Sequence, residues 1–153
     1  MEWVLFAYRI PREPSAPRIA IWRKLRRLGA LQLGDGLVTL PRTPQNQERL
    51  EWLADEVGEA GGQASLWFGQ PASRAQQREL AERVSKRVAE EYATVLVAAK
   101  EAGEKDEPTR KRTVARLRRT LHAIRARDWF DAPERRRAER AVEALAAEVE
   151  VAR

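Results

Sequence analysis

The segment formed by residues 3–41 constrains the fold of this chain most strongly, because a strand, a helix and a hairpin follow one another directly in it. The strand is a continuous apolar run, residues 3–8, which is rich in aromatic and branched residues and ends before Pro11 and Pro14. Such a run is typical of a strand that is covered on both faces. We therefore expect this strand to lie in the centre of its sheet.

An amphipathic helix is predicted to begin at Pro17 or Arg18 and to end at Gly29, a residue type that commonly stops helices. Two short apolar segments then flank residues 34–36, whose sequence Gly-Asp-Gly indicates the turn of a hairpin. The apolar positions of the helix are Ile21, Trp22, Leu25 and Leu28.

A second helix and a fourth strand complete this part of the chain. The helix is predicted to end at Gly61 and Gly62, and residues 64–68 form the strand. The order β-α-β-β-α-β is that of a ferredoxin-like unit. The spacing of apolar residues in the first helix and in the fourth strand assigns Trp22 and Trp67 to the core. The apolar stripe of the second helix consists of Leu50, Leu53, Val57 and Ala60.

The second half of the chain is predicted to be helical. A long apolar face runs through residues 73–102, and the polar segment 103–108 separates it from a second apolar seam that ends near Phe130. A third helix begins near Pro133. We predict an α+β protein, in which a ferredoxin-like domain of residues 1–70 is followed by an extension of three antiparallel helices, residues 71–153.

Several of these segments resemble a known family. They are Tyr8-Arg9-Ile10-Pro11, Pro14-Ser15, Arg18, residues 21–30 and Leu37-Val38-Thr39-Leu40-Pro41, with Glu90-Glu91-Tyr92 and Ala126-Arg127-Asp128-Trp129-Phe130 in the helical half. The pattern resembles the N-terminal domain of the chromate-resistance regulator family ChrB. Its element order is similar to that of the middle domain of the repressor PaaX and of ferredoxin-like endonucleases of CRISPR adaptation.

The ChrB resemblance implies a regulatory or sensory module of chromate resistance that binds DNA, an oxyanion or both. Many ChrB proteins resemble this chain only in their first part and continue into a second domain. A function located in that second domain is therefore not transferred to this chain.

The composition limits the chemistry that is available. The chain contains no cysteine, which excludes disulfides, thiolate metal sites and reduction of chromate by a thiol. We expect no cofactor and no metal. The N-terminal residues do not resemble a secretion signal, and no apolar stretch is long enough to cross a membrane. The expected location is the cytoplasm, without membrane contact.

Catalytic groups are scarce. A ferredoxin-like nuclease needs an acidic metal ligand at the end of the first strand, where this chain has Tyr8, Arg9 and Ile10. The single histidine, His122, has no cysteine or second histidine with which to complete a transition-metal site, and we expect it at the surface or partly packed. The sequence therefore predicts that the chain is not an enzyme.

A candidate anion site lies around the loop that leads into the first helix. Guanidinium groups bind tetrahedral oxyanions through paired hydrogen bonds, and a helix N-terminus favours negative charge. Chromate is such an oxyanion. The alternative is that these arginines pair with Glu2, Glu13 or acids of the helical extension. The candidate residues are Arg9, Arg12, Arg18 and Arg23.

A second basic cluster lies in the helical extension. Residues 109–127 contain eight basic side chains and no acidic one, as a surface that neutralises DNA phosphates requires. Two alternatives are a merely solvated helix face and internal neutralisation by the acidic residues of the last helix. The proposed phosphate contacts are Arg112, Arg116 and Arg119.

Two functions from different classes therefore remain open. In the first, the chain is a regulatory or sensory module that binds chromate or DNA, and its activity depends on the arginines. In the second, it is an interaction module that forms a homodimer or docks another subunit and has no ligand of its own. Charge reversal would then matter little, whereas apolar surface would matter more.

Overall fold

The structure, a computed structural model, describes residues 1–151. Within them the chain forms a four-stranded antiparallel sheet and five helices, so the α+β class is confirmed. The elements in chain order are β1 (Trp3–Arg9), α1 (Ser15–Leu28), β2 (Leu31–Gly34), β3 (Leu37–Pro41), α2 (Pro44–Glu59), β4 (Gln63–Gly69), α3 (Arg74–Ala102), α4 (Glu107–Arg125) and α5 (Glu134–Val151).

The chain divides into two compact units, and the second unit begins at Ala81, within α3. The boundary predicted from the sequence, residues 69–71, begins at the last residue of β4 and continues into the loop that precedes α3. The first unit contains the predicted order of elements, β-α-β-β-α-β.

The sheet has the strand order β2-β3-β1-β4, and all neighbouring strands are antiparallel. The prediction that β1 is an internal strand is confirmed. Val4 and Phe6, which are two residues apart and therefore point to the same face, are fully buried. On the other face Leu5 and Ala7 are only half-buried, so the expectation that both faces are fully covered was wrong for these two residues.

The ends of α1 and α2 follow from local chemistry. Gly29 has φ of 87° and ends α1 as predicted, because a residue without a side chain adopts this conformation without strain. Helix α1 begins at Ser15, slightly earlier than expected, since Pro17 is tolerated in a first turn. Thr43 caps α2, and its side chain accepts a hydrogen bond from the backbone nitrogen of Asn46.

The prediction that Trp22 and Trp67 lie in the core was wrong, because they are 47% and 63% exposed. Helix α1 buries Ile21 and Leu25, and Trp22 lies about 100° further around the helix than Ile21. Trp67 lies in β4, an edge strand that has a neighbour on one side only, so its side chains are covered from fewer directions.

The second unit has its own apolar core. The predicted seam of α4 is confirmed at Val114, Leu117 and Ile124. Arg125 at the end of α4 pairs with Glu139 near the start of α5, and the earlier Arg118 pairs with the later Glu143, as two antiparallel helices require. The core is formed by Val88, Tyr92, Val95, Ala99, Ala102, Val114, Leu117, Ile124, Ala132, Ala138, Val142, Leu145 and Ala146.

None of the helices in the described part of the chain combines the length and the apolarity that a membrane-spanning helix needs.

Candidate functional site

A groove of about 930 Å³ lies in the first unit, formed by the end of β1, the loop after it, helix α1 and the turn between β2 and β3. Elements that are distant in sequence therefore contribute to a single concave surface. This surface, which we call the arginine groove, is lined by Tyr8, Arg9, Ile10, Pro11, Arg12, Arg18, Ile19, Trp22, Gln32, Asp35 and Gly36.

Three of the four residues predicted for the anion site, Arg9, Arg12 and Arg18, line this groove. The fourth, Arg23, lies on α1 but does not contribute to the lining. All four side chains are exposed. Within the first unit, residues 1–80, none of the four side chains forms a hydrogen bond or an ion pair with another residue.

Within the first unit, the structure pairs neither Glu2 nor Glu13 with these arginines. The carboxylate of Glu2 accepts a hydrogen bond from Arg42 at 2.7 Å, so this acid already has a basic partner. Glu13 forms no ion pair in the described part of the chain. The three guanidinium groups of the groove therefore keep their hydrogen-bond donors available for a ligand or for water.

The floor of the groove is held by the hairpin turn. The backbone nitrogen of Tyr8 donates a hydrogen bond to the carbonyl oxygen of Gly36 at 2.8 Å. Gly36 has φ of 67°, a conformation that residues with a side chain rarely adopt. Burial raises the pKa of the Tyr8 phenol, which therefore stays neutral and able to donate a hydrogen bond at ordinary pH.

The groove also has an aromatic wall, which the sequence did not predict. The guanidinium carbon of Arg26 lies 5.1 Å from the ring centroid of Trp22, in the arrangement of a cation–π contact. Ile19 adds a 42% exposed apolar side chain to the same lining. No signal in the sequence indicated this wall, because Trp22 has the same helical spacing as the apolar residues Ile21 and Leu25 that the structure buries.

In the second unit, acidic side chains neutralise part of the basic helix α4, as the sequence indicated. Arg118 pairs with Glu143 at 3.3 Å, and Arg125 lies 3.7 Å from Glu139. Arg127 lies beyond the end of α4 and forms a 2.7 Å ion pair with Glu91 of α3, a contact that the sequence did not predict.

The three predicted phosphate contacts lie outside this neutralised set. Arg112, Arg116 and Arg119 are exposed and form no ion pair with any described residue of the second unit, residues 81–151. Their spacing of four and three residues places them on one face of α4, which we call the basic face. Arg112 also donates a hydrogen bond to the hydroxyl of Thr109 at 3.2 Å.

Tyr8 and Arg9 are at the end of β1, where a nuclease would need a carboxylate. His122 is exposed on α4. In the part of the chain that the structure describes, no three His, Cys, Asp or Glu side chains are grouped so that they could hold a metal ion.

The comparison with protein families defines the class of this protein. The family described as "Protein ChrB, N-terminal" matches residues 18–151. The chain therefore belongs to the ChrB N-terminal family, as its sequence segments indicated. It is similar to Protein ChrB of Cupriavidus metallidurans, with 30% identity over 141 residues. The matched region covers 90% of this chain but only 43% of that relative.

A solved structure is also similar. An uncharacterized protein from Mycobacterium tuberculosis superimposes with a TM-score of 0.53 over 98% of this chain and 62% of its own length. The two sequences are 14% identical, so this likeness concerns the fold alone.

Proposed function

We propose that the chain is a regulatory or sensory module of chromate resistance that binds an oxyanion in the arginine groove. The name of the ChrB family links the chain to the regulation of chromate resistance. The observation that supports the ligand is that Arg9, Arg12 and Arg18 line one groove with a single acidic residue, Asp35, and form no ion pair with it or with any other residue of 1–80. Such a site gives a dianion several charge-assisted hydrogen bonds.

The proposed role is binding and not catalysis. The last residue of β1 is the cationic Arg9, at a position where a metal-dependent nuclease of related architecture would need a carboxylate. Without cysteine the chain has no thiol that could reduce chromate, so the anion would leave the groove unchanged. The location that fits this role is the cytoplasm.

The test of the anion site compares arginines inside and outside the groove. Arg18→Ala and Arg12→Ala are expected to weaken chromate binding by about tenfold or more, as loss of a charge-assisted hydrogen bond implies. Arg23→Ala and Arg49→Ala are the matched controls, because both residues are exposed in the first unit and neither lines the groove. Isothermal titration calorimetry with chromate and sulfate measures the effect, and equal affinities in all four variants would disprove the site.

DNA is the second proposed ligand, bound through the basic face. Arg112, Arg116 and Arg119 have the spacing and exposure needed to contact successive phosphates. The test is binding of the protein to DNA from upstream of its own gene at two salt concentrations, with chromate or sulfate added. Salt-sensitive binding that only chromate releases would support a sensor and repressor, and absence of binding would exclude this role.

An interaction module remains the alternative, and the edge strand β4 favours it. Trp67 and Phe68 of β4 are 63% and 44% exposed, and an edge strand offers unpaired backbone groups to a second copy of the chain. Light scattering of the purified protein tests whether it is a homodimer. In this alternative Trp67→Lys should yield a monomer, whereas Arg18→Ala should not.

The fold assignment within the first unit is also a proposal. We infer that the unit is a ferredoxin-like domain, because its element order is β-α-β-β-α-β and β1 lies between β3 and β4 in an antiparallel sheet. An experimental structure of residues 1–80 within the whole chain would test this assignment.

A further inference from the structure

We propose that the ligand of the arginine groove is a nucleotide, whose phosphate contacts the arginines and whose base stacks on Trp22. This inference rests on the anion-binding role proposed above for the same groove. It adds that the anionic group belongs to a molecule that also contains a planar ring. A free nucleotide and a nucleotide within a single strand share this chemistry.

The groove is larger than a small oxyanion requires. One water molecule occupies about 30 Å³, so a tetrahedral oxyanion of five atoms fills on the order of 100 Å³. The groove is open to solvent on one side and spans about 930 Å³, which is within the range of roughly 300 to 1,000 Å³ that is usual for pockets that hold organic ligands. A chromate or phosphate ion alone would leave most of this space to water.

The lining of the groove combines basic side chains with an aromatic and apolar surface. Arg9, Arg12 and Arg18 supply donors for a phosphate, and Trp22 and Ile19 supply an aromatic and apolar surface beside them. Proteins that bind single-stranded nucleic acid without sequence preference combine basic groups, which contact the phosphates, with exposed aromatic rings, on which the bases stack. Binding of a small oxyanion alone does not require an exposed indole.

Trp22 itself is suited to stacking. The guanidinium of Arg26 lies against its ring at 5.1 Å, which limits the motion of the indole, and 47% of the side chain is still exposed. A ring that is already held in place loses little conformational freedom when a base stacks on it.

The lining is not uniformly positive, which also fits a nucleotide. Asp35 contributes a carboxylate to the groove and would repel a ligand that is anionic throughout. A nucleotide carries its charge at one end, and its base offers N–H groups that a carboxylate accepts, in thymine the ring N3–H. The Tyr8 hydroxyl is a further neutral partner for the sugar or base.

The experiment is calorimetric titration of the whole chain with thymidine monophosphate, deoxyribose 5-phosphate and inorganic phosphate. Thymidine monophosphate is expected to bind about tenfold or more tightly than deoxyribose 5-phosphate, which lacks the base. Trp22→Ala should remove this difference, and Trp22→Phe should retain most of it because an aromatic face remains. Trp52→Ala is the matched control, since Trp52 is 65% exposed in the same unit and does not line the groove.

A second arm distinguishes the source of the nucleotide. Single-stranded oligothymidylate that binds more tightly than the mononucleotide, and that the mononucleotide displaces, would identify a nucleic-acid strand as the ligand. A mononucleotide that binds as tightly as the strand would identify a free nucleotide. Circular dichroism of each variant verifies that the fold is retained.

The outcomes separate this inference from the proposed function. If inorganic phosphate or chromate binds as tightly as the nucleotide and Trp22→Ala has no effect, the nucleotide is excluded and the oxyanion site stands. If only the nucleotide binds and both Arg18→Ala and Trp22→Ala weaken it, the nucleotide replaces chromate as the ligand. If none of these anions binds, both proposals for the groove are wrong.

Discussion

The hydroxyl of Tyr92 donates a hydrogen bond to Oδ2 of Asp128 at 3.1 Å, and the adjacent residues Glu91 and Arg127 form an ion pair at 2.7 Å. These contacts join the two short segments of the helical half that carry the resemblance to ChrB. The other oxygen of Asp128 accepts a hydrogen bond from the backbone nitrogen of Ala132 at 2.8 Å. The connection between α4 and α5 is thus held against α3.

Loss of the Asp128 carboxylate should destabilise the protein more than loss of the Tyr92 hydroxyl. Tyr92→Phe removes one hydrogen bond and is expected to lower the free energy of unfolding by about 1 kcal/mol, whereas Asp128→Ala removes two and should cost about 2 kcal/mol. Urea denaturation measures both effects. Lys86→Ala on the exposed side of α3 is the control, and an equal loss in all three variants would contradict the structural role of Asp128.

The ion pair of Glu91 and Arg127 should contribute more to stability than that of Glu143 and Arg118. The side chains of the first pair are 34% and 18% exposed, and those of the second are 67% and 55% exposed. Glu91→Ala is expected to cost about 1 to 2 kcal/mol, and Glu143→Ala less than about 1 kcal/mol, because water screens exposed pairs. Chemical denaturation at low and high salt tests this order, and the reverse order would refute it.

The stability of the protein should fall at alkaline pH, partly through Tyr92. Burial raises the pKa of Tyr92 in the folded state, and the carboxylate of Asp128 raises it further. An unfolded tyrosine loses its proton near pH 10, so this stabilisation is complete below about pH 10 and is lost as the pH rises above that value. Melting temperatures between about pH 9 and about pH 11 should therefore decline less in Tyr92→Phe than in the wild type.

Tyr8 contributes to the same alkaline decline, because burial raises its pKa as well. Tyr8→Phe is therefore the second variant of this experiment, and the double variant should show the flattest profile. Identical pH profiles in the wild type and in Tyr92→Phe would exclude the role assigned to Tyr92.

If the basic face binds DNA, its arginines should determine how strongly binding depends on salt. Arg112→Ala, Arg116→Ala and Arg119→Ala should each reduce the slope of log affinity against log salt by about one. The controls are Arg118→Ala and Arg125→Ala on the same helix, whose side chains are held by Glu143 and Glu139. Equal slopes for the two sets, measured by fluorescence anisotropy, would mean that the basic face does not contact phosphate.

The hairpin beneath the arginine groove should tolerate a side chain at Gly34 and not at Gly36. A Cβ atom at Gly36 would collide with the carbonyl of Tyr8, and φ of 67° is strained for any residue with a side chain. Gly36→Ala is expected to cost about 2 kcal/mol or more, since the left-handed conformation and the collision add up.

Gly34→Ala is the control for this experiment, because no atom lies within 4 Å of the added Cβ. Its stability should change by less than about 0.5 kcal/mol. Thermal denaturation measures both variants, and a loss for Gly34→Ala as large as that for Gly36→Ala would show that the turn conformation is not the cause.

The sequence predicted the order of elements because that order depends on local rules. The spacing of Leu50, Leu53 and Val57 indicates a helix whatever surrounds it, and Gly29 ends α1 through its own backbone freedom. The candidate anion site could be predicted in part for the same reason. Arg9, Arg12 and Arg18 are close in sequence, so the loop that they share brings them to the groove.

The exposure of Trp22 and Trp67 could not be predicted, because periodicity assigns apolar residues to a face without showing what covers it. The same limit applied to the charges of α4. Arg118 and Arg119 are adjacent in sequence, yet only Arg118 meets an acid of α5. Which arginine keeps a free charge depends on side chains from another helix.

The sequence by itself therefore determined the class of fold, the family and the limits on chemistry, because periodicity, turn residues and composition act locally or on the whole chain. The tertiary structure decided which residues meet. It joined Asp35 to Arg18 in one groove, placed Trp22 beside them and paired Tyr92 with Asp128. These relationships link positions far apart in sequence, and only the folded backbone brings them within reach of a ligand or of each other.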